Sequence, residues 1–202
     1  MNIIFDLDGT LINSKFRLYK LFRELTPNLQ ISFDDYWILK QKKITNEMIL
    51  EKKFGYGKKD ISNFVNTWMK LIEAPEYLCL DIIFTGMKKK LSKLSNQAKL
   101  FICTARQYRE PTIEQLKHLE ILQYFNKILI TEQKSSKDYL IKQFVPGYDQ
   151  NDWIVGDTGK DIEVGKILNL RTCAVTSGFH SRYTLLKYNP DLILDTVLDF
   201  VP

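Results

Sequence analysis

Six short apolar runs, separated by segments with helical periodicity, constrain the fold of this chain more than any other feature. Each run is brief and rich in branched or aromatic residues, as buried parallel strands are. The runs lie at residues 3–5, 100–103, 128–130, 153–155, 172–175 and 192–194. Strands that alternate with helices predict an α/β fold, in which a Rossmann-like, mostly parallel sheet carries helices on both faces.

Residues 14–81 interrupt this alternation. They contain no clear strand, and their four periodic segments are helical. The segments lie at residues 16–25, 33–40, 48–54 and 61–72, with Ser32, Thr45 and Asp60 as predicted N-caps of the last three. We therefore predict a small all-helical domain at 14–81, inserted after the first strand of an α/β core domain made of residues 1–13 and 82–202.

The charge balance and the cysteines limit the partners that we expect. The 29 Lys and Arg residues exceed the 24 Asp and Glu residues by five, which suits an anionic substrate but is too small an excess to predict nucleic-acid binding. Cys79, Cys103 and Cys173 have neither a disulfide nor a zinc-site spacing. With no room for a signal peptide before Phe5 and no membrane-length apolar stretch, we expect a cytoplasmic protein without nucleic-acid or membrane partners.

Polar residues follow four of the predicted strands in chain order. They are Asp6 and Asp8, then Thr104, then Lys134 and Lys137, then Asp157 and Asp161. In an open α/β sheet, ligands bind beyond the carboxyl ends of the strands, where the strand order reverses. We therefore expect these residues to converge at one edge of the sheet.

Four converging carboxylates require a cation. Two like charges about 5 Å apart repel by roughly 3 kcal/mol at an effective dielectric constant near 20. Carboxylate oxygens without histidine or cysteine nearby favour Mg²⁺, and a lysine would neutralise further charge and help to attract a phosphate. One carboxylate can then attack phosphorus while another transfers protons. The two-residue period of a strand predicts that Asp6 and Asp8 share one side, with Leu7 turned away and Gly9 allowing a tight turn.

These motifs resemble a known family. "FDLDGTL", "CTAR", a lysine near a helix start and "VGDTGKDIEVG" are similar to the four motifs of the haloacid dehalogenase-like hydrolase superfamily. The helical insert is similar to the cap domain that one large branch carries between the first two motifs. The closing "AVTSGFHSRYTLLKYNPDLILDTVLDF" resembles the end of phosphoglycolate-phosphatase-like members. The resemblance also implies that the first strand lies between the second and the fourth.

The resemblance implies a role for each matching residue. Asp6 would be the nucleophile and Asp8 the general acid and base. Thr104 would bind a phosphoryl oxygen. Asp157 would bind Mg²⁺ together with Asp6 and the main-chain carbonyl of Asp8, and Asp161 would support the metal. The dehalogenase branch lacks the second aspartate of the first motif. The presence of Asp8 at that position therefore favours phosphoryl transfer over cleavage of a carbon–halogen bond.

The third motif leaves a choice between two lysines. Many capped members have a Lys-Pro pair there, and this chain has none. Lys137 would open the helix of "DYLIKQF" close to the strand ends, so we prefer it as the phosphate-binding lysine, with Lys134 as the second choice. Arg106 and Arg109 could help to hold a substrate, but we expect them to pair with surface acids.

The resulting prediction is a Mg²⁺-dependent phosphatase that acts on a small phosphorylated metabolite through an aspartyl-phosphate intermediate. One alternative is a phosphosugar mutase of the same superfamily, which would isomerise a sugar phosphate faster than it hydrolyses it. The other is a regulatory or binding protein that keeps the fold with little catalysis.

Overall fold

The computed structural model describes all 202 residues, which form eight strands and ten α-helices. The strands are β1 (Asn2–Phe5), β2 (Ile12–Asn13), β3 (Ile82–Ile83), β4 (Lys99–Thr104), β5 (Lys127–Ile130), β6 (Trp153–Gly156), β7 (Arg171–Val175) and β8 (Leu192–Leu194). The helices are α1 (Lys15–Leu25), α2 (Phe33–Gln41), α3 (Asn46–Phe54), α4 (Lys58–Leu71), α5 (Pro75–Leu78), α6 (Met87–Ser95), α7 (Arg109–His118), α8 (Lys137–Phe144), α9 (Gly159–Ile167) and α10 (Arg182–Leu186). No helix is long and apolar enough to cross a membrane.

Six strands form one parallel sheet in the order β5-β4-β1-β6-β7-β8. Each of the six apolar runs of the sequence lies in one of these strands, so the predicted α/β fold is confirmed. The strand β1 pairs with β4 on one side and with β6 on the other, as the resemblance implied. The chain therefore reverses its direction of travel across the sheet at β1, and ligands bind at such a point in open α/β sheets.

Alternate residues of the strands enter two separate apolar clusters, because successive side chains of a strand point to opposite faces. Ile3 and Phe5 of β1 belong to the larger cluster, which includes Leu91 of α6 and Leu116 of α7. Ile4 belongs to the cluster on the other face, which includes Ile141 of α8. Both faces of the sheet are thus covered by helices, which leaves its edges for polar residues.

The five helices from α1 to α5 lie between β2 and β3 in the chain. They have an apolar cluster of their own, centred on Phe22, Tyr36, Ile49 and Phe64. The predicted N-caps Ser32 and Thr45 accept hydrogen bonds from the backbone N–H groups of Asp35 and Met48. Residues 14–81 are the proposed extent of this helical insert.

One local prediction is wrong, and two short strands were not predicted. Asp60 is not an N-cap, because α4 begins at Lys58 with Gly57 in the cap position. The strands β2 and β3 were not predicted from the sequence. They pair antiparallel where the chain enters and leaves the helical insert. Each of these strands has only two residues, too few to show a two-residue period.

Candidate active site

A cavity of about 300 Å³ lies at the carboxyl ends of β1, β4 and β6, beneath the helical insert. Its lining includes five of the predicted site residues, namely Asp6, Asp8, Thr104, Lys137 and Asp157. Arg17 of α1 and Trp68 of α4 line the cavity from the helical insert. The structure therefore brings the strand ends and the helical insert together around one small space.

Asp6 is the first residue after β1, and the sheet fixes its position. Its backbone N–H donates a hydrogen bond of 2.9 Å to the carbonyl of Val155 in β6, which continues the parallel pairing one residue beyond the strand. Leu7 lies in the core with Phe5, as the two-residue period requires. Both Asp6 and Asp8 consequently line the cavity.

Asp6, Asp157 and Asp161 form a buried group of carboxylates. One carboxylate oxygen from each lies within 4.8 Å of the others. The ammonium of Lys137 donates hydrogen bonds of 2.6 Å to Asp6 Oδ1 and to Asp161 Oδ1. One ammonium facing three carboxylates leaves two negative charges without compensation. We call these four residues the Asp6 cluster.

Burial, together with the excess negative charge, changes the pKa values within the Asp6 cluster. Burial raises the pKa of Asp6 to about 7, and the charge of Asp161 adds to this rise against the opposing effect of Lys137. Burial, Asp6 and Asp161 raise the pKa of Asp157 well above its ordinary value. Burial alone would lower the pKa of Lys137, but Asp161 and Asp6 raise it, so this lysine stays protonated.

The residues of the Asp6 cluster fit a bound Mg²⁺ ion. They offer three buried carboxylates and no histidine or cysteine, and hard oxygen ligands are what Mg²⁺ prefers in proteins. A divalent cation would balance the two uncompensated charges. Burial and the neighbouring carboxylates together raise the pKa values of Asp6 and Asp157, and a bound cation would oppose that rise.

Asp157 occupies a tight slot formed by two glycines. The backbone N–H of Phe179 donates a hydrogen bond of 2.6 Å to Asp157 Oδ2. A Cβ atom at Gly178 would lie 1.9 Å from that oxygen, and a Cβ atom at Gly9 would lie 2.4 Å from it. Gly9 also has a φ of +86°, a conformation that favours glycine. Any larger residue at either position would displace the carboxylate.

Asp161 serves both the site and its own helix. It is the third residue of α9, and its Oδ2 accepts hydrogen bonds from the backbone N–H and the hydroxyl of Thr158, at 3.2 and 2.7 Å. Its other oxygen, Oδ1, accepts the hydrogen bond from Lys137. The cap contacts fix the carboxylate in the orientation that faces Lys137.

The structure separates the two candidate lysines. Lys137 opens α8, and its side chain is 12% exposed within the Asp6 cluster. Lys134 is 79% exposed and pairs with Glu132 at 3.5 Å, away from the cluster. Thr104 ends β4, is buried and lines the same cavity as Lys137.

Asp8 lies in a different environment from Asp6. The guanidinium of Arg106 donates from Nε to Asp8 Oδ2 at 2.8 Å and from Nη2 to Oδ1 at 2.9 Å, and Arg17 Nη2 also donates to Oδ1. Asp81 lies 3.0 Å from Arg17 and 3.3 Å from Arg106. We call these four residues, which carry two positive and two negative charges, the Asp8 cluster.

The two arginines determine the protonation of Asp8. Burial alone would raise the pKa of Asp8, but the charges of Arg106 and Arg17 outweigh it and hold that pKa well below its ordinary value. Burial raises the pKa of Asp81 to about 6, in spite of Arg17 and with a contribution from the charge of Asp8. Asp8 is therefore held as a carboxylate in this arrangement.

Sequence reasoning missed the role of these arginines. The prediction that Arg106 pairs with surface acids is wrong, because its side chain is 3% exposed and its partners are the buried Asp8 and Asp81. Its position two residues after Thr104, at a strand end, was a usable signal. Arg109 donates instead to the carbonyl of Ile128. Arg17 carried no signal, because its role depends on how the helical insert packs over the sheet.

Cavity volume alone does not mark the site. A larger cavity of about 620 Å³ lies between α5, β3 and α7. It includes Asp81 but no residue of the Asp6 cluster. The smaller cavity, and not this one, combines a nucleophile candidate, a proton-transfer candidate and cationic side chains.

The chain is similar to several known proteins. A family model described as haloacid dehalogenase-like hydrolase matches residues 3–175. A haloacid dehalogenase-like family hydrolase of Streptococcus pneumoniae has a structure with a TM-score of 0.79, 25% sequence identity and coverage of 98% of this chain and 95% of its own. A candidate phosphatase of Clostridium difficile has a TM-score of 0.80, 20% identity and coverage of 96% and 94%.

A third similar structure is described as a predicted phosphoglycolate phosphatase of Haemophilus somnus. Its TM-score is 0.74, its identity is 20%, and the alignment covers 98% of this chain and 94% of that one. At this identity the likeness shows the fold alone. No curated protein sequence matches the chain.

Proposed function

The chain belongs to the haloacid dehalogenase-like hydrolase family, and from this premise we propose that it is a Mg²⁺-dependent phosphatase. Its substrate would be a small phosphorylated metabolite, hydrolysed through an aspartyl-phosphate on Asp6. The observation that carries the proposal is the Asp6 cluster, in which three buried carboxylates face a single lysine at the carboxyl end of the central strand. The similar structures described as phosphatases support the same reaction class.

Asp6, Asp157 and Asp161 would hold the metal, together with the main-chain carbonyl of Asp8. When bound, Mg²⁺ would supply positive charge to the phosphoryl oxygens and keep the cluster ionised. Nucleophilic attack, binding of the phosphoryl group and proton transfer would be carried out by side chains of the protein.

Asp6 would act as the nucleophile in the first step. Its carboxylate forms a bond to phosphorus while the bond from phosphorus to the ester oxygen breaks, so that the phosphoryl group moves to Asp6. Lys137 contacts Asp6 at 2.6 Å and would neutralise charge on the transferred group. Thr104 lines the same cavity and would donate its hydroxyl hydrogen to a phosphoryl oxygen.

Asp8 would move the protons. It gives a proton to the leaving oxygen in the first step, and in the second step it removes a proton from the water that attacks the aspartyl-phosphate. The pairing of Asp8 with Arg106 and Arg17 favours its carboxylate form, which is the form that the second step needs. Protonation of Asp8 for the first step therefore requires a weaker contact with the arginines.

The helical insert would exclude water and select the substrate. Arg17, Leu18 and Trp68 of the helical insert form part of the cavity wall. A cavity of about 300 Å³ is at the small end of the range for ligand sites, which favours a small metabolite over a macromolecule. The three free cysteines are in keeping with a cytoplasmic location.

The test is hydrolysis of p-nitrophenyl phosphate and of a broad panel of phosphorylated metabolites, with Mg²⁺ and with a chelator. We expect turnover that depends on Mg²⁺ and is highest for small esters. Undetectable release of phosphate across the whole panel would overturn the proposal. Isomerisation of a sugar phosphate that exceeds its hydrolysis would favour the mutase instead.

A further inference from the structure

We infer that Gln115 of α7 is a positioning residue for the reaction, because it fixes the guanidinium of Arg106 and thereby the direction in which the Asp8 carboxylate points. It acts without touching the substrate, since it does not line the cavity at the strand ends. The inference rests on the proposed function, in which Asp8 transfers protons to and from the reacting oxygens.

Gln115 is a buried polar residue with both amide hydrogens in use. Glutamine side chains are mostly exposed in folded proteins, whereas Gln115 is only 8% exposed. Its Nε2 donates hydrogen bonds of 2.7 Å to the carbonyl of Leu78 and of 2.8 Å to Asp81 Oδ2. Its Oε1 accepts a hydrogen bond of 2.6 Å from Arg106 Nη1. A guanidinium can only donate and a backbone carbonyl can only accept, so these partners allow one orientation of the amide.

The guanidinium of Arg106 is held by Asp8 and by Gln115 at the same time. Its Nε and Nη2 donate to the two oxygens of Asp8 at 2.8 and 2.9 Å, and its Nη1 donates to Gln115. Because a guanidinium is planar and rigid, holding Nη1 fixes the plane in which the other two nitrogens meet Asp8. A two-point bond of this kind sets the orientation of a carboxylate as well as its distance.

Gln115 also joins the core to the end of the helical insert. Leu78 belongs to α5, and Asp81 lies between α5 and β3, where the chain leaves the insert. Asp81 Oδ1 lies 3.0 Å from Arg17 Nε, and Asp81 Oδ2 lies 3.3 Å from Arg106 Nη2. The amide of Gln115 therefore connects the Asp8 cluster to the packing of the insert on the core.

The orientation of Asp8 matters because proton transfer needs close approach. A general acid must lie about 2.6–3.2 Å from the oxygen that receives the proton, and a displacement of about 1 Å costs about 10²-fold in rate. Without the Gln115 amide, Arg106 keeps its charge but loses one of the contacts that fix its plane. The carboxylate of Asp8 then reaches the ester oxygen less often.

The first test is Gln115→Met, which keeps the length of the side chain and removes its hydrogen bonds. The two substrates are p-nitrophenyl phosphate and the alkyl phosphate that the unaltered protein hydrolyses fastest. We expect kcat/KM for the alkyl ester to fall by about 10- to 100-fold, and kcat/KM for p-nitrophenyl phosphate to fall by less than about threefold. The aryl ester is less affected because its leaving group departs without protonation, and kcat/KM reports the steps up to release of the leaving group.

Gln107→Met is the matched control. Gln107 also ties the core to the insert, because its Nε2 donates a hydrogen bond of 2.9 Å to the carbonyl of Met69, but its side chain makes no hydrogen bond to the Asp8 cluster. This variant should keep the ratio of the two kcat/KM values within about twofold of that in the unaltered protein. The same change of ratio in both variants would overturn the inference.

A double variant separates positioning from a general loss of structure. If Gln115 acts through Asp8, adding Gln115→Met to Asp8→Asn should change kcat/KM for the alkyl ester by less than about twofold. A further loss of about tenfold or more in the double variant would overturn the role of Gln115.

The outcomes also separate this inference from the proposed function. No hydrolysis of any ester by the unaltered protein would defeat the proposed function itself. Equal losses on both esters in Gln115→Met, or no loss, would leave the phosphatase in place and overturn the inference. Turnover of p-nitrophenyl phosphate without turnover of any alkyl phosphate would do the same. If Gln115→Met does not fold, Gln115→Asn, which draws the amide back from Arg106 by one methylene group, must show the same change of ratio.

Discussion

The Asp6 and Asp8 clusters differ in charge balance although their central residues are only two positions apart. Three carboxylates face one lysine around Asp6, whereas two carboxylates face two arginines around Asp8. Burial raises the pKa of Asp6 to about 7, and the charge of Asp161 adds to the rise, whereas Arg106 and Arg17 hold the pKa of Asp8 low against its own burial. In the first cluster the carboxylates outnumber the cationic side chains, and in the second cluster the two are balanced.

The two clusters also differ in origin. Every member of the Asp6 cluster follows a strand of the core sheet or opens a core helix. The Asp8 cluster includes Arg17 from the helical insert and therefore depends on how the insert packs. Under the proposed function, the residues that transfer the phosphoryl group belong to the core, whereas the surroundings of the proton-transfer residue Asp8 are shared with the insert.

Replacement of the nucleophile should have the largest effect. Asp6→Asn keeps the size of the side chain but removes the attacking carboxylate, so we expect kcat to fall by at least about 10⁴-fold on every substrate. The measurement is release of phosphate under saturating substrate and Mg²⁺. Activity close to that of the unaltered protein would assign the nucleophile to another residue.

Asp8→Asn should have a smaller effect that depends on the leaving group. General acid catalysis contributes about 10²- to 10⁴-fold, and we expect a loss of that size with an alkyl phosphate. The loss from the first step should be smaller with p-nitrophenyl phosphate, because its leaving group departs without protonation. The ratio of kcat/KM values for the two esters reports this difference. Equal losses on both would show that Asp8 does not act as the acid.

The two lysines of the third motif should differ sharply. Lys137→Ala removes the ammonium that contacts Asp6 and Asp161, and we expect a loss of about 10²-fold or more in kcat/KM. Lys134→Ala is the matched control, since Lys134 is 79% exposed, and it should change kcat/KM by less than about twofold. A large loss in Lys134→Ala with activity kept in Lys137→Ala would reverse the assignment.

The stability of the metal-free protein should fall as pH rises from about 4 to 7. Asp6 has a pKa of about 7 in the folded state against an ordinary value of 3.8, so the folded state binds more protons in this range and each deprotonation costs stability. Asp81, with a pKa of about 6, acts in the same direction. Asp8 contributes no slope above about pH 5, because its lowered pKa leaves it ionised in both states there.

Mg²⁺ should reduce this fall by stabilising the ionised Asp6 cluster. At a concentration near 100 times its Kd, a ligand that binds only the folded state adds about 2.7 kcal/mol to the free energy of unfolding. Thermal unfolding at pH 5 and pH 7.5, with and without Mg²⁺, measures the effect. We expect a higher midpoint with Mg²⁺ at pH 7.5, and no such gain in Asp157→Asn. Equal midpoints with and without Mg²⁺ would argue against the metal site.

The sequence was sufficient to predict the alternating strands and helices of the core and the residues at the strand ends. Apolar runs fix the strands, and the residues directly after them must meet at one edge of a parallel sheet. Asp6 and Asp157 are placed together for that reason, and Lys137 joins them from the start of α8. Arg17 and Asp81 could not be found in this way, because they approach Asp8 only after the helical insert has packed over the sheet. Their positions depend on tertiary contacts between segments with no shared sequence pattern.

The most direct test of the account is a search for phosphate on Asp6. The unaltered protein is mixed with substrate and Mg²⁺, quenched in acid during turnover and measured by intact and peptide mass spectrometry. We predict a fraction of molecules carrying one added phosphoryl group on the peptide that contains Asp6, and none in Asp6→Asn. Active hydrolysis in Asp6→Asn, or a phosphoryl group found on a different residue, would contradict the account.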